Sequence, residues 1–404
     1  MTMKLKPSIT LSDVFGPDIV FCPRVSPNAC TWVNYDNPHL DLLTGAQLAM
    51  SGTMPFLCAR TVSTKDARQL LKDTGLQLPE ELYQHGDGND YLQELSKLCR
   101  AGKKITLQHM HTANDVALEN CWIPPSTLSF VNNKAHYREI IDDTYLPSRT
   151  ILRPNLILKK LSSSPLPIVI KPATDETTGG GLNVFICQKE QDLDEAEKKF
   201  RACPRIVAEE FIEINRNLCL NYAVTAAGRI IYLGSAEQVI DAEGKYMGNW
   251  IDSKSNAPPN AVELGRHLAQ KGFERGYWGF VGIDMAVQDD GGIIVFDLNF
   301  RVNGSACALV LTKVIRQVFG QPVIRLGTLV GKSSYREALK SVYKALERKL
   351  MVPIASYDPT AGKYSGTPRV LCLILGQTRE EVEENQRQIA EWGFSEESIR
   401  VRPR

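Results

Sequence analysis

Asp284-Met-Ala-Val-Gln-Asp-Asp-Gly-Gly-Ile-Ile-Val-Phe-Asp297-Leu-Asn299-Phe-Arg301 is the stretch on which the reading of this chain turns. Two apolar runs flank Asp289-Asp-Gly-Gly292, the composition of a tight hairpin turn. If Gln288 sits opposite Ile293, equal steps outward bring Asp284 directly opposite Asp297. Opposed side chains in an antiparallel pair lie with Cβ atoms about 4.5–5.5 Å apart. Asn299 falls two residues on and faces the same side. Arg301 keeps that parity if the chain stays extended. Two facing carboxylates inside apolar strands are unfavourable unless something cationic offsets them. Two carboxylates and an amide oxygen are hard donors, which suit Mg²⁺ held beside substrate phosphates. Ile283, Met285, Phe296 and Leu298 supply an opposite, apolar face. That alternation fits equally a hairpin whose aspartates merely face water, so the hairpin alone leaves both readings open.

Upstream, Ile168-Val-Ile-Lys171 reads as a short β-branched strand ending before Pro172, and Thr177-Thr-Gly-Gly-Gly181 follows. Three glycines permit positive φ and let backbone N–H groups wrap an anion. The loop is no Walker A motif, since no Gly-Lys-Ser/Thr follows it. A glycine-rich cover carried by a strand–turn–strand is closer to the kinase solution, and a plain flexible loop is the alternative. Lys171 is placed to reach a phosphate as a point charge. Lys134 opens a helix expected through Ile141, and a solvated first-turn lysine reads as well. Arg205 to Glu209 reads as a strand breaking into a hinge at Glu210, Phe211 and Ile212, whose backbone would present N–H and C=O groups to a flat ligand. A solvated Glu-Glu pair is the bland account.

At 404 residues the chain has length for two or three domains. Lys plus Arg is 47 against 46 for Asp plus Glu, which argues against a general nucleic-acid or membrane-surface binder. Ten scattered cysteines with no C-x-x-C pair suit free thiols in a reducing, cytoplasmic setting. No stretch approaches the ~18 apolar residues of a membrane span, and no apolar leader opens the sequence. Before Thr112, strands at 18–22 and 104–108 alternate with helices at 64–75 and 91–100, the pattern of an α/β layer domain. Asn221–Thr225 and Arg229–Leu233 flank a turn as a hairpin. After Ser333, a helix at 335–348 precedes a strand–helix–strand run. His109 and His111 share a strand face and read as structural. Lys245, Tyr246 and Trp250 sit in a connection placed to cover a substrate.

Asn133-Lys134, Ile170-Lys171-Pro172, the Thr-Thr-Gly-Gly-Gly loop, Ala208-Glu-Glu-Phe-Ile212, Asp284 and Asp297-Leu-Asn299-Phe-Arg301, in that order, resemble the ATP-grasp superfamily of carboxylate ligases. The flanks look like a pre-ATP-grasp branch, which includes the pheganomycin peptide ligase and the butirosin enzyme that loads glutamate onto an acyl carrier protein. The resemblance implies an ATP-grasp fold of α/β and α+β character. Residues 1–112 would form an N-terminal pre-ATP-grasp α/β domain and 113–331 the ATP-grasp domain. The latter would divide into a lid subdomain about 130–212 and a metal-binding core about 213–331. Residues 332–404 would form a small C-terminal α/β module. It implies that Lys134, Lys171, Thr178, Gly179, Gly180 and Gly181 contact the ATP phosphates, and that Glu209, Glu210, Phe211 and Ile212 hold the adenine. Asp284, Asp297 and Asn299 would hold Mg²⁺, and Arg301 would be catalytic, steadying an acyl phosphate. The usual ribose carboxylate register gives Arg216 and Asn217 instead, leaving Glu213 as a substitute. Asn303 and Ser305 would line the substrate end. The implied activity is ATP-dependent carboxylate–amine ligation on an amino acid or other natural-product precursor. A thiol acceptor on an acyl carrier protein and an ATP-binding regulator without turnover are the alternatives. Expected partners are small molecules and a second copy in a homodimer.

Overall fold

The computed structural model describes residues 4–29, 33–35, 37–176, 184–241, 246–364, 366–396 and 401–403. Near the N-terminus a parallel sheet runs in the order Leu82–His85, Phe56–Ala59, Ile19–Cys22, Lys104–Leu107. Phe56–Ala59 is buried along its whole length, as a strand covered on both faces should be. Thr64 caps the helix Lys65–Asp73 by accepting from the Ala67 N–H, and Asp87 caps Gly88–Arg100 through the Asp90 N–H. The central strand Ile19–Cys22 has later strands on both sides. The chain order therefore reverses beside it, and in open α/β sheets ligands gather at the carboxyl ends of strands at such a point. Gln108–His111 lies at the carboxyl end of Lys104–Leu107.

The hairpin belongs to a nine-stranded antiparallel sheet. Its order is Ile293–Asn299, Gly279–Val287, Arg216–Val224, Ile230–Ile240, Tyr246–Ile251, Val323–Gly331, Arg369–Gly376, Met351–Tyr357, with Phe394–Glu396 also pairing to Val323–Gly331. Tyr246 and Trp250 are thus inside a central strand and are no covering connection, a correction to the expectation above; Lys245 lies outside the described residues. The strands after residue 332 add to this same sheet through Tyr246–Ile251 and Val323–Gly331. Met351–Tyr357 was not legible in the sequence. It is buried throughout, so it lacks alternation, and Pro353 sits at a register shift, where a missing N–H is tolerated.

A second antiparallel sheet, Arg149–Leu152, Ile206–Glu210, Ile168–Pro172, Phe185–Cys187, carries the helices Ile157–Leu161 and Glu190–Lys199 over its own small core. The larger cores do not respect the sequence regions. One joins Phe15, Phe21 and Phe56 to Phe280, Leu309 and Ile354. Another joins Tyr91 and Leu95 to Tyr222, Ile283 and Phe300. Trp122 donates from Nε1 to the Trp278 carbonyl at 3.0 Å across the same seam. The N-terminal layer is therefore packed onto the nine-stranded sheet, and this fixes the strand end at Gln108 against the strand end at Arg301.

Candidate active site

Asp284 stands opposite Asp297, but not by the count assumed from the turn. Val287, rather than Gln288, faces Ile293, and a β-bulge between the Asp284 and Met285 pairs restores the step at Phe296. The Phe296 carbonyl accepts from Lys171 Nζ at 3.4 Å. Asn299 Nδ2 donates to Asp284 Oδ2 at 3.2 Å, which places the amide on the carboxylate face.

The two aspartates differ in their partners. Asp297 Oδ1 accepts from Lys134 Nζ at 2.6 Å and from the Tyr137 hydroxyl. Burial alone would raise its pKa; the Lys134 charge and hydrogen bond, with Tyr137 and Arg301, hold it below the usual carboxylate range. Asp284 is pushed up to about 6 by burial and then by the Asp297 charge, against the weaker effects of Cys219, Gln238 and Arg301. Its Oδ1 is buried with no hydrogen-bond partner among the described residues. An orphaned carboxylate oxygen beside a second carboxylate is what a divalent cation would satisfy. Among the described residues no group of three or more His, Cys, Asp or Glu side chains encloses a metal. The donors here are two carboxylates and an amide. That set fits an ion which takes its remaining oxygens from a phosphate chain and water.

The lysines are both buried to 7% exposure, so neither is a solvated surface charge. Lys134 begins the 3-10 helix Lys134–Glu139, shorter than the helix expected, with Asn133 capping it through the Ala135 N–H. Lys171, one residue before the end of its strand, lies against Glu209 Oε2 at 2.6 Å, and Arg149 Nη2 lies 3.4 Å from Glu209 Oε1. Alternation along Ile206–Glu210 turns Glu209 inward and Glu210 outward. The Glu209 side chain therefore anchors two cations. Glu210 Oε1 accepts from the Ser148 N–H at 2.9 Å, Phe211 is exposed and Ile212 half-buried at the strand exit. Thr178, Gly179, Gly180 and Gly181 lie outside the described residues.

Arg301 takes its place from Asn132, the last residue of the helix Pro125–Asn132. Asn132 Oδ1 accepts from Arg301 Nη1 at 3.3 Å and from the Phe300 N–H at 2.9 Å. Lys134, Asp297 and Arg301 line one cavity together with Gln108–Met110 of the N-terminal layer and Thr174–Glu176 of the smaller sheet. Asn303 and Ser305 are not brought to it. Asn303 Oδ1 accepts from the Ser305 and Ala306 N–H groups, its Nδ2 meets Cys219 Sγ at 3.1 Å, and Asn221 Nδ2 donates to Ser305 Oγ at 3.0 Å. They close the sheet behind Asp284, where a Cβ at Gly282 would come within 1.7 Å of Asn303 Nδ2. Arg216 donates to the Lys254 and Asn256 carbonyls, Asn217 Nδ2 meets Gln238 Oε1 at 3.3 Å, and Glu213 is exposed, its carbonyl accepting from Gln288 at 2.7 Å. Sequence reasoning missed Asn132, Tyr137, Arg149 and Gln108, and only Asn132 and Tyr137 stood close enough to Lys134 to draw notice. The nine described cysteines are free.

Lys134, Asp297 and Arg301 thus share one cavity, with Lys171 and Asp284 beside Phe296 and Asp297 on the neighbouring strands. The chain belongs to the ATP-grasp ligases. The matching family models are those of the L-aspartate–L-methionine ligase, its N-terminal domain over residues 10–129 and its ATP-grasp domain over residues 147–299, a family of ATP-dependent amino-acid ligases. The superfamily expected from the motifs is thus borne out, and so is its fold. Among solved structures the chain is similar to N5-carboxyaminoimidazole synthetase from Staphylococcus aureus, at 13% identity and TM-score 0.60, over 96% of this chain and 98% of that one. It is similar to carboxyaminoimidazole ribonucleotide synthase from Aspergillus clavatus, at 13% identity and TM-score 0.58, over 93% and 98%. It is also similar to biotin carboxylase from Campylobacter jejuni, at 11% identity and TM-score 0.59, over 95% and 93%. No described helix is long and apolar enough to cross a membrane.

Proposed function

We propose that this chain joins the carboxylate of one amino acid to the amine of another, with ATP activating the carboxylate as an acyl phosphate. The family models suggest aspartate as the carboxylate and methionine as the amine. The observation that carries the reading is the convergence of Lys134, Asp297 and Arg301 on one cavity, with Asp284 carrying an unpaired oxygen behind them. In this reading Asp284, Asp297 and Asn299 would hold Mg²⁺, which when bound would supply charge neutralisation to the phosphoryl oxygens. Lys134 and Lys171 add fixed positive charge. Arg301, braced by Asn132, holds the carboxylate and then the acyl phosphate in line. Glu209 supports Lys171 from behind, and the strand exit at Glu210, Phe211 and Ile212 offers the adenine a hinge. No side chain need act as a covalent nucleophile, because activation resides in the mixed anhydride.

The test is ADP release by purified protein with ATP, Mg²⁺, aspartate and methionine. ADP, phosphate and a dipeptide mass should appear only when both amino acids are present. A stable phosphorylated product would instead mark a kinase, and turnover requiring a thiol would mark the carrier-protein alternative.

A further inference from the structure

The cavity beside Arg301 has a wall that the proposed chemistry has not used. Gln108, 7% exposed, donates from Nε2 to the Val302 carbonyl at 2.7 Å. A carbonyl only accepts, so this bond fixes the amide orientation and leaves Oε1 as the other end. That Oε1 is buried and has no hydrogen-bond partner among the described residues. Val302 follows Arg301 directly, so the unpaired acceptor is anchored one residue from the arginine backbone. A buried acceptor left unpaired is unfavourable, and such groups normally find a donor.

We propose that Gln108 Oε1 receives an N–H of the attacking amine and aims its lone pair at the acyl phosphate held by Arg301. This rests on the ligase reading above. The chemistry of the wall selects the occupant. A carboxylate or phosphate oxygen would meet Oε1 as acceptor against acceptor, so the group that docks there must donate. An amine has a hydrogen for Gln108 while its lone pair points elsewhere, whereas a thiol offers a single weak donor. His109, on the same wall, is 8% exposed, and burial, followed by the Arg301 charge, keeps its ring neutral. A neutral imidazole does not compete as a second cation. Across the cavity, Asp175 and Glu176 favour an incoming substrate that arrives as an ammonium. In the step itself the amine nitrogen bonds to the carbonyl carbon and the carbon–oxygen bond to phosphate breaks. The ammonium first gives one proton to solvent, which frees its lone pair; the phosphate then leaves with the carbon–oxygen electron pair, and the second proton shed by nitrogen passes to it.

The experiment separates the two half-reactions. Without amine, reversible acyl phosphate formation scrambles oxygen-18 from the β–γ bridge of ATP when Mg²⁺ and the carboxylate substrate are present. Gln108→Leu should raise KM for the amine at least about tenfold, the loss expected for one hydrogen bond. Scrambling should stay within about twofold of the parent. Gln108→Glu retains an acceptor but sets a carboxylate against the Val302 carbonyl, and is the second variant should Gln108→Leu not fold. Its amine KM should rise less than that of the leucine variant where both fold, and less than about tenfold where it is measured alone. Scrambling lost in parallel with ligation would place Gln108 on the carboxylate or nucleotide side and overturn the proposal. An unchanged amine KM in the leucine variant, or a rise of about tenfold or more in the glutamate variant measured alone, would overturn it as well. Failure of the parent protein to scramble with any carboxylate would sink the ligase reading itself, which is a distinguishable result.

Discussion

Asp297 shows how a single carboxylate can serve two demands. It accepts from Lys134 and Tyr137 while facing Asp284, so it is a structural acceptor as well as a proposed metal ligand. Asp297→Asn should lower kcat by about 10² or more through loss of that charge. It should also lower the melting temperature, because Lys134 is left buried without its counter-charge. An unchanged melting temperature with lost activity would show that the Lys134 pair contributes nothing to stability. Arg301→Ala should cost roughly 10² in kcat. Asn132→Ala should cost less and chiefly in kcat, since Asn132 holds Arg301 and the Phe300 N–H and carries no charge of its own. Equal losses in steady-state assays would mean that Asn132 meets the substrate itself. The opposed aspartates were legible because strand side chains alternate with a period of two. Asn132 was not, since its bond to Arg301 spans 169 residues and leaves no local pattern.

Among elements, the smaller sheet hangs its function on one buried carboxylate. Glu209 lies between Lys171 and Arg149, each within 3.4 Å, and is 3% exposed. Glu209→Ala would leave two buried cations facing each other. That should destabilise the protein by about 3–5 kcal/mol, read as a fall in the denaturation midpoint. Glu209→Gln keeps the shape and should raise KM for ATP with a smaller stability loss, as Lys171 loses its anchor. If ATP affinity in the glutamine variant matches the parent, Lys171 is positioned by the Phe296 carbonyl instead. The strand itself was readable from its β-branched run. The inward turn of Glu209 was not, because Glu209 and Glu210 are adjacent and either parity is consistent with the sequence.

For the whole molecule, the shared cores make the N-terminal layer part of the folding unit. Three of its histidines are buried, His85 with neither ring nitrogen in hydrogen-bond geometry with another of the described residues, His109 in the cavity wall, and His111 bonded to the Tyr91 hydroxyl at 2.8 Å. Burial is the leading cause that lowers all three below the ordinary value. The charged form is thus favoured by the unfolded chain. Their contribution is fully present above the unfolded value of about 6.5 and is lost as pH falls below it, by up to ~1.4 kcal/mol per pH unit per histidine. Urea midpoints at pH about 7.5 and about 5.5 should differ accordingly. His85→Leu should flatten that dependence, and an equal slope in the variant would show that His85 charges freely in the fold. The α/β character of this layer was legible from strands alternating with capped helices. Its fusion with the distant sheet was not, since aromatic contacts such as Phe15 with Trp278 join positions with no relation in sequence.

The bulge at Phe296 has a consequence for how this hairpin tolerates change in length. Without Phe296 the ladder would run straight from Val287 and Ile293 to Asp284 and Asp297, with the carboxylates still opposed. What would be lost is the carbonyl that receives Lys171. The hairpin therefore carries one residue of slack on its turn side, like backlash in a gear train. Between Asp297 and Arg301 there is none. Natural insertions and deletions in related hairpins should accumulate near the turn and stop short of Asp297.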